Sequence, residues 1–320
     1  MTDSKPPSRP SDDLLERLAG APISWGVCEV PGWGRQLPAR QVLAEMRSLG
    51  LRATEAGAEG YLPADDAELE ALLAEFELGL VGGFVPVVLH DPGARAATDA
   101  RVDREAGRFA RCGGSVLVSA VVVDDAWSPR VPLEDDDWRR IFDGFRRLDE
   151  ICAARGVAHV VHPHVGTLVE TREDVVRVVE GSDVRLCLDT GHLAIGGFDS
   201  EALACEAPGR VGHVHLKDVR ENIAAELRAG RTSLRDATER GLFAPLGDGD
   251  APVGAVVGAL ADAGYDGWYV LEQDAVVGPG EDEEGGAPTR DARRSIEYLR
   301  TVRSGHEPAA GRVVGEVTQS

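Results

Sequence analysis

Acidic and imidazole side chains follow directly after apolar segments of this chain, and these residue types can bind metal ions or transfer protons. In the stretch CLDTGHLAIGG (187–197), Asp189 and His192 stand three residues apart behind apolar neighbours. A second stretch, VGHVHLKD (211–218), ends in the same residue types. Packed strands are expected to carry apolar side chains, so imidazole and carboxylate groups at the end of each of these two runs indicate a ligand-binding site. Oxygen and nitrogen donors without a thiolate suit Mn²⁺, Co²⁺, Fe²⁺, Zn²⁺ or Mg²⁺.

Eight short apolar runs must position these side chains. The runs recur about every thirty residues, and they are rich in Val and Leu, which is typical of parallel strands buried on both faces. They cover residues 21–27, 51–57, 78–89, 115–123, 157–164, 184–192, 211–217 and 267–274. Segments with helical spacing of apolar residues lie between them, among them 39–50, 65–78, 137–156 and 171–181. Strands alternating with helices predict an α/β fold, a single (β/α)8 TIM barrel.

A doubly wound parallel sheet is the alternative architecture, but it would carry a Gly-rich phosphate loop after its first strand, and the sequence has none there. The barrel is predicted to span residues 19–303 as one catalytic domain. Polar tails at 1–18 and 304–320 are expected to be disordered. Residues 275–290 are expected to form a long loop, and the segment 219–251 is expected to be an insertion over the barrel mouth.

The composition argues against several functions. The formal net charge is −21, from 55 acidic and 34 basic residues, and such a surface repels a phosphate backbone or an anionic lipid layer. We therefore expect no nucleic acid and no membrane as partner, but a small molecule; a homo-oligomer is compatible with the sequence. No apolar segment of signal-peptide type is found, so a cytoplasmic location is predicted. The five cysteines form no CxxC pair, so neither a disulfide framework nor a thiolate metal site is expected.

The active site of a (β/α)8 barrel lies at the carboxyl ends of its strands, so polar residues that end the apolar runs are expected to share one pocket. Six of the eight histidines, all but His159 and His306, fall at such ends. The predicted set is Trp25, with Glu29 in the loop beyond it, Glu55, His90, Asp91, His162, His164, Asp189, His192, His213, His215, Lys217, Asp218, Glu272 and Asp274. His213 and His215 share one face of a strand, so one can bind a metal while the other orients it.

Several of these residues also have a purely structural interpretation. Glu55 could bond the backbone, His90 could cap the third strand, and Lys217 could face solvent at a strand edge. His192 could bond only its own loop, in which Gly191 would permit a sharp backbone turn.

The motifs LCLDTGH, VGHVHLKDVR and GYDGWYVLEQD resemble those of the xylose isomerase-like sugar isomerase and epimerase superfamily, whose members are metal-dependent (β/α)8 barrels. Within it, APISWGV, TEAGAEGYLP, HPHVGT, LDTGHLAIGG and GLFAPLGDGD are similar to stretches of the inosose (2-keto-myo-inositol) dehydratases. The resemblance covers roughly residues 20–300 and is specific as a set of motifs.

The resemblance implies a divalent metal held by Glu, Asp, His and Glu from strands five to eight. Asp189, His215 and Glu272 match three of these positions, whereas His162-Pro163-His164 stands where the family commonly has Glu-Asn-His. His162 is therefore expected as the strand-five ligand, with His164 as the alternative. Mn²⁺ or Co²⁺ is the expected metal, with Mg²⁺, Fe²⁺ and Zn²⁺ as alternatives.

A metal bound to two adjacent substrate oxygens polarises the carbonyl group and makes the neighbouring C–H more acidic. Expulsion of the β-hydroxyl group then requires an acid that protonates the leaving oxygen. The candidates for proton transfer are Glu55, His164, His192 and Lys217. The candidates for substrate binding are Trp25, His90, His213 and Arg220.

The leading hypothesis is a hydro-lyase that removes water from an inosose in inositol catabolism. A metal-dependent isomerase or epimerase of a ketose or inosose is the alternative, and a sugar-binding barrel without catalysis is the second. No segment offers a clear phosphate cradle, so an unphosphorylated polyol or keto-sugar is expected as substrate.

Overall fold

Eight parallel strands close into one barrel, which confirms the predicted fold. The computed structural model describes residues 14–28, 30, 32–278, 283 and 285–302. The strands are β1 Leu18–Gly20, β2 Ala53–Glu55, β3 Gly79–Val87, β4 Val116–Val121, β5 Ala158–Val161, β6 Leu186–Asp189, β7 Val211–Leu216 and β8 Tyr269–Leu271. Each strand pairs with its sequence neighbours, and β1 pairs with β8 to complete the ring. All eight carboxyl ends therefore open on one side of the barrel.

Helices surround this barrel. They are α1 Ala39–Ser48, α2 Asp66–Glu75, α3 Arg95–Arg111, α4 Asp135–Ala154, α5 Arg172–Gly181, α6 Thr190–Ile195, α7 Ser200–Glu206, α8 Glu221–Arg228, α9 Leu234–Glu239, α10 Val253–Asp262 and α11 Ala287–Leu299. The four helices named in the sequence analysis lie where their spacing predicts them. In α5, Thr171 and Asp174 form a reciprocal capping box, which supplies acceptors for two backbone N–H groups that the first turn leaves unpaired.

The first strand is the main correction to the sequence prediction. It covers Leu18–Gly20 instead of residues 21–27, which contain the 3₁₀ turn Pro22–Trp25. Pro22 has no N–H to donate to a strand ladder and has a fixed φ, so the chain turns there. Leu14 is already buried, so the folded part begins before the predicted boundary at residue 19. The remainder of the predicted N-terminal tail and the tail 304–320 lie outside the described residues.

Trp25 consequently does not end a strand. Its indole is completely buried, and its Nε1–H donates to Glu45 Oε2 at 2.8 Å and to Thr289 Oγ1 at 3.1 Å. Glu45 belongs to α1 and Thr289 to α11, so the indole joins these two helices in the core. This buried position does not fit the predicted contact of Trp25 with substrate.

The segment 219–251 does extend over the barrel mouth. Two short strands, Asp218–Val219 and Phe243–Ala244, pair antiparallel at its base. At its outer end, Arg235 Nε donates to the carbonyl oxygens of Gly32 and Trp33 in the loop after β1. Within the part of the chain that the structure describes, no helix combines the length and apolar character that a membrane span needs.

The Asp218 carboxylate organises the return of this segment to the barrel. It accepts the backbone N–H groups of Val219, Gly247, Gly249 and Ala251 at 2.8 to 3.1 Å. Such charge-assisted bonds are stronger than neutral ones. This acid at the end of strand seven therefore holds a loop, which sets it apart from the acids that face the barrel axis.

Ser119, His159 and Asp149 have the residue types of a hydrolase triad, but they act as a structural connection. Ser119 Oγ lies 2.8 Å from His159 Nε2, and His159 Nδ1 lies 2.6 Å from Asp149 Oδ1. Ser119 is completely buried within β4, so its hydroxyl is closed to substrate. The chain of contacts links β4 and β5 to α4.

Ser119→Ala is expected to destabilise the barrel and to leave its chemistry intact. The change leaves a buried ring nitrogen of His159 without a partner, which costs about 1–3 kcal/mol. Thermal unfolding should show a lower Tm, while turnover per folded molecule stays normal. An unchanged Tm together with lost turnover would contradict this structural role.

Candidate metal centre and active site

Four side chains from consecutive strands converge at the carboxyl end of the barrel. His162 directly follows β5, Asp189 ends β6, His215 lies near the end of β7, and Glu272 directly follows β8. One ligand atom from each lies within 4.8 Å of the corresponding atom of the others. All four residues are buried. We call this group the four-ligand set.

Atoms within the four-ligand set face one another without hydrogen bonds. His162 Nε2 and His215 Nδ1 each lie 3.7 Å from Asp189 Oδ2, and His215 Nδ1 lies 3.1 Å from Glu272 Oε2. Within the described part of the chain, His162 Nε2, Asp189 Oδ2 and His215 Nδ1 are buried and have no hydrogen-bond partner. Each such atom costs about 1–3 kcal/mol. Their convergence and their imidazole and carboxylate chemistry fit a divalent cation.

The protonation of the four-ligand set also fits a cation. Burial and the charge of His215 lower the pKa of His162 well below its ordinary value, so its imidazole is neutral and offers a lone pair. Burial would raise the pKa of Asp189, but Lys217 and His192 lower it well below the usual range. Burial would lower the pKa of His215, yet Cys187, Glu272 and Glu55 raise it well above 6.5. The carboxylates that favour a positive charge on His215 would equally favour a metal ion at Nδ1 in place of a second ring proton.

The DTGH stretch shows how local structure leaves one oxygen of Asp189 for the set. Asp189 caps α6, because its Oδ1 accepts from Gly191 N at 2.8 Å and from His192 N at 2.7 Å, while Oδ2 faces the other ligands. Thr190 Oγ1 bonds the backbone of Lys217. Gly191 is helical, and a Cβ there would lie 2.6 Å from Lys217 Cγ. This glycine therefore provides space for Lys217, which corrects the predicted sharp turn.

His164, the alternative strand-five ligand, lies outside the four-ligand set. Its Nδ1–H donates to the Val165 carbonyl at 2.8 Å, and its ring centroid lies 3.8 Å from that of His192. Burial lowers the pKa of His164 to about 4, assisted by Lys217. The geometry favours His162 as the ligand, which stays a prediction.

Lys217 is completely buried, so it is not the solvent-facing lysine of the structural interpretation. Its Nζ lies 2.6 Å from Glu272 Oε1, 2.7 Å from Asp274 Oδ1 and 3.0 Å from His192 Nε2. Three acceptors use the three N–H donors of an ammonium group. Burial would lower the pKa of Lys217, but Asp189, Asp274 and Glu272 raise it well above 10.5. The ammonium group therefore stabilises the carboxylate of Glu272, a member of the four-ligand set.

Glu55 reaches the set from the opposite side of the barrel. Its Oε1 lies 2.9 Å from His213 Nε2 and 3.1 Å from His215 Nε2. Burial would raise the pKa of Glu55, but the charge of His215 and the hydrogen bonds from both histidines lower it far below the usual value. The carboxylate is therefore ionised and contacts both histidines of β7.

A cavity of about 680 Å³ opens beside these residues, which is ample for a small sugar. His162, His164, His215, Glu55, Glu272 and Asp274 line it. Burial raises the pKa of Asp274 to about 6, although Lys217 opposes this shift.

Phe84 and Trp127 also line the cavity, and the sequence analysis missed both. Their rings stack with centroids 6.1 Å apart. Phe84 lies within an apolar strand and looks like a core residue in the sequence. Trp127 has φ 56°, which is unusual for a non-glycine residue, and such strain is found often at functional sites. The sequence contains no signal that predicts the positive φ of Trp127.

Besides Trp25, three residues predicted to contact substrate are not among the described residues that line the cavity: His90, His213 and Arg220. His213 is buried against Glu55. Arg220 donates from Nη1 to the Gly241 carbonyl and from its backbone N–H to the Leu242 carbonyl, so it closes the base of the segment 219–251. His90 lies beyond β3, where its carbonyl accepts from Arg140 Nε at 2.8 Å. The positions of His90, His213 and Arg220 do not fit their predicted contacts with substrate.

His162→Ala and His164→Ala form a matched pair that tests the four-ligand set. Removing His162 deletes a ligand, so we expect metal binding to fall sharply, whereas removing His164 should leave metal content unchanged. Elemental analysis after chelation, reloading and gel filtration measures the difference. Metal retained by His162→Ala and lost by His164→Ala would reverse the assignment.

The comparisons with known proteins agree with this fold. The family model described as xylose isomerase-like TIM barrel matches residues 43–302. The chain is 33% identical over 276 residues to an inosose dehydratase from Geobacillus kaustophilus, covering 82% of this chain and 89% of that protein. It is 32% identical over 282 residues to the rhizopine catabolism protein MocC from Rhizobium meliloti, covering 86% of each. A solved structure of IolI protein with a bound zinc atom shares the fold, with a TM-score of 0.67 and 14% identity over 89% of this chain and 98% of that chain. The chain therefore belongs to the xylose isomerase-like TIM barrel family.

Proposed function

We propose that this protein is a metal-dependent hydro-lyase that removes water from an inosose (2-keto-myo-inositol). The observation that carries the proposal is the convergence of His162, Asp189, His215 and Glu272, with three buried unpartnered atoms, beside the cavity. The relative from Geobacillus kaustophilus, named an inosose dehydratase, supports the choice of substrate and reaction. A role in inositol catabolism and the cytoplasmic location expected from the sequence are part of this proposal.

The proposed cation is Mn²⁺ or Co²⁺, held by the four-ligand set. Two imidazoles and two carboxylates form a mixed donor set, which suits these ions better than it suits Mg²⁺. Zn²⁺ and Fe²⁺ are alternatives, and the zinc in the IolI structure is compatible with the former. When bound, the cation supplies Lewis-acid polarisation of the substrate carbonyl.

We assign removal of the substrate proton to His164. Its Nδ1 carries the proton that it donates to the Val165 carbonyl, so Nε2 carries the lone pair. His164 lines the cavity, whereas His192 bonds Lys217 behind it. A base must lie within hydrogen-bond reach of the proton that it takes, and the position of His164 at the cavity wall supports this assignment.

We assign protonation of the departing hydroxyl group to Asp274. It lines the cavity, and burial raises the pKa of its carboxyl group to about 6, as is usual for a carboxylic acid that donates a proton. The C–H and C–O bonds of the substrate break, a carbon–carbon double bond forms, and one water leaves. The proton taken by His164 balances the one given by Asp274.

Incubation with scyllo-inosose and Mn²⁺ or Co²⁺ tests the proposed reaction. We expect a product that has lost one water, detected by mass spectrometry and by the absorbance of the new conjugated carbonyl. A product of unchanged mass would instead show an isomerase or epimerase. Binding without any product would favour a non-catalytic sugar-binding barrel.

His164→Asn and His192→Asn separate the cavity-facing histidine from the one behind it. We expect His164→Asn to keep its metal and to lose roughly 10²-fold or more in kcat/KM, the usual scale for a positioned proton-transfer group. His192→Asn should lower the Tm with near-normal turnover per folded molecule, because His192 bonds Lys217. The opposite pattern, with turnover lost only in His192→Asn, would make His192 the proton-transfer group.

A further inference from the structure

The carboxylate of Glu55 contacts a proposed metal ligand from the side away from the metal. His215 Nδ1 faces Asp189 and Glu272, whereas its Nε2 lies 3.1 Å from Glu55 Oε1. The two nitrogens of this ring thus have different partners. An ionised carboxylate can only accept hydrogen bonds, so Nε2 carries a proton and Nδ1 is the nitrogen that is free to bind a cation.

The contact crosses the interior of the barrel. Glu55 ends β2, and β1 and β8 lie between β2 and β7 in the ring. Glu55 and His215 are 160 residues apart in sequence, and both side chains are buried. A buried ion without partners is strongly disfavoured, so Glu55 is held in this position by the N–H groups that it accepts.

His213 provides a second contact that restrains the carboxylate of Glu55 at the cavity wall. Its Nε2 lies 2.9 Å from the same oxygen, Oε1. His213 and His215 are two residues apart on one face of β7, so a single carboxylate oxygen can accept from both. The second histidine therefore fixes the carboxylate, and the carboxylate in turn fixes the ring of His215.

We infer that Glu55 is a positioning residue for metal binding: it sets the tautomer and ring orientation of His215, and His213 holds it in place. The inference rests on the proposed four-ligand set but not on the proposed reaction. Carboxylate partners of metal-binding histidines also make the ligand more basic, and their removal usually weakens metal affinity by roughly 10- to 100-fold. This role replaces the proton-transfer role expected for Glu55 and the substrate contact expected for His213.

The test measures Co²⁺ affinity by competition with a chelator, together with the visible spectrum of the Co²⁺ protein, without substrate. We expect Glu55→Ala to weaken binding by roughly 10- to 100-fold and to change the spectrum, because His215 loses its orientation. Glu55→Gln keeps an oxygen that accepts from His215, so it should recover part of the affinity and the wild-type spectrum. Since Glu55→Gln preserves side-chain size, it carries the test should Glu55→Ala fail to fold.

Glu45→Gln is the matched control, because Glu45 is a buried glutamate bonded to Trp25 and Thr289 in the core. It should lower the Tm while Co²⁺ affinity and spectrum stay as in the wild type. Wild-type affinity and spectrum in both Glu55 variants would overturn the inference, and lost turnover in those same variants would assign Glu55 to the substrate. Because the readout needs no turnover, failure of the dehydratase assay would leave this result unaffected.

Discussion

The buried ammonium group of Lys217 is the contact on which the arrangement of the site depends. Glu272 and Asp274 would repel each other at the end of β8, and Lys217 Nζ lies within 2.7 Å of an oxygen from each. Breaking a buried ion pair by removing one partner leaves an uncompensated charge, which is strongly destabilising. By binding Oε1 of Glu272, Lys217 also turns Oε2 toward His215. The ammonium group of Lys217 therefore positions a carboxylate of the four-ligand set.

Several residues that look unrelated in the sequence serve this lysine. Gly191 leaves room for its aliphatic stem, and Thr190 bonds its backbone on both sides. The ring of Phe243, from the segment over the barrel mouth, lies 5.0 Å from Nζ, within the range of a cation–π contact. The DTGH stretch thus combines two tasks: Asp189 directs an oxygen toward the four-ligand set, and the next two residues accommodate the lysine of the neighbouring strand.

The sequence predicts the barrel and the identity of its polar strand ends because both follow from local rules. Valine- and leucine-rich runs indicate buried parallel strands, and the end of a strand determines which residues reach the mouth. The position of β1 was missed because the apolar run 21–27 contains Pro22, whose effect on the ladder outweighs the hydrophobic pattern. The sequence leaves open whether Lys217 is buried, because a lysine at a strand end faces solvent unless distant residues supply its acceptors, and Glu272 is 55 residues away.

Contacts between distant strands also decide which polar residue does what, and sequence order does not contain them. His213 and His215 are equivalent in pattern, yet only His215 lies within the four-ligand set, while both share Glu55. His162 and His164 likewise alternate along one segment. They differ because His164 is bonded to the next carbonyl and His162 is left with two unpartnered nitrogens among the described residues.

The charge balance of the site favours a histidine over an acidic residue at position 162. Asp189 and Glu272 already provide two negative charges, which match a divalent cation. Glu55 and Asp274 are two further buried acids close by; the Glu55 carboxylate lies between two histidines, and Asp274 contacts Lys217. A glutamate at position 162 would add one more buried negative charge in a region where each needs a partner. A neutral imidazole at position 162 would supply the fourth ligand of the proposed metal site without that cost, so the choice of His162 is consistent with the additional acids Glu55 and Asp274 nearby.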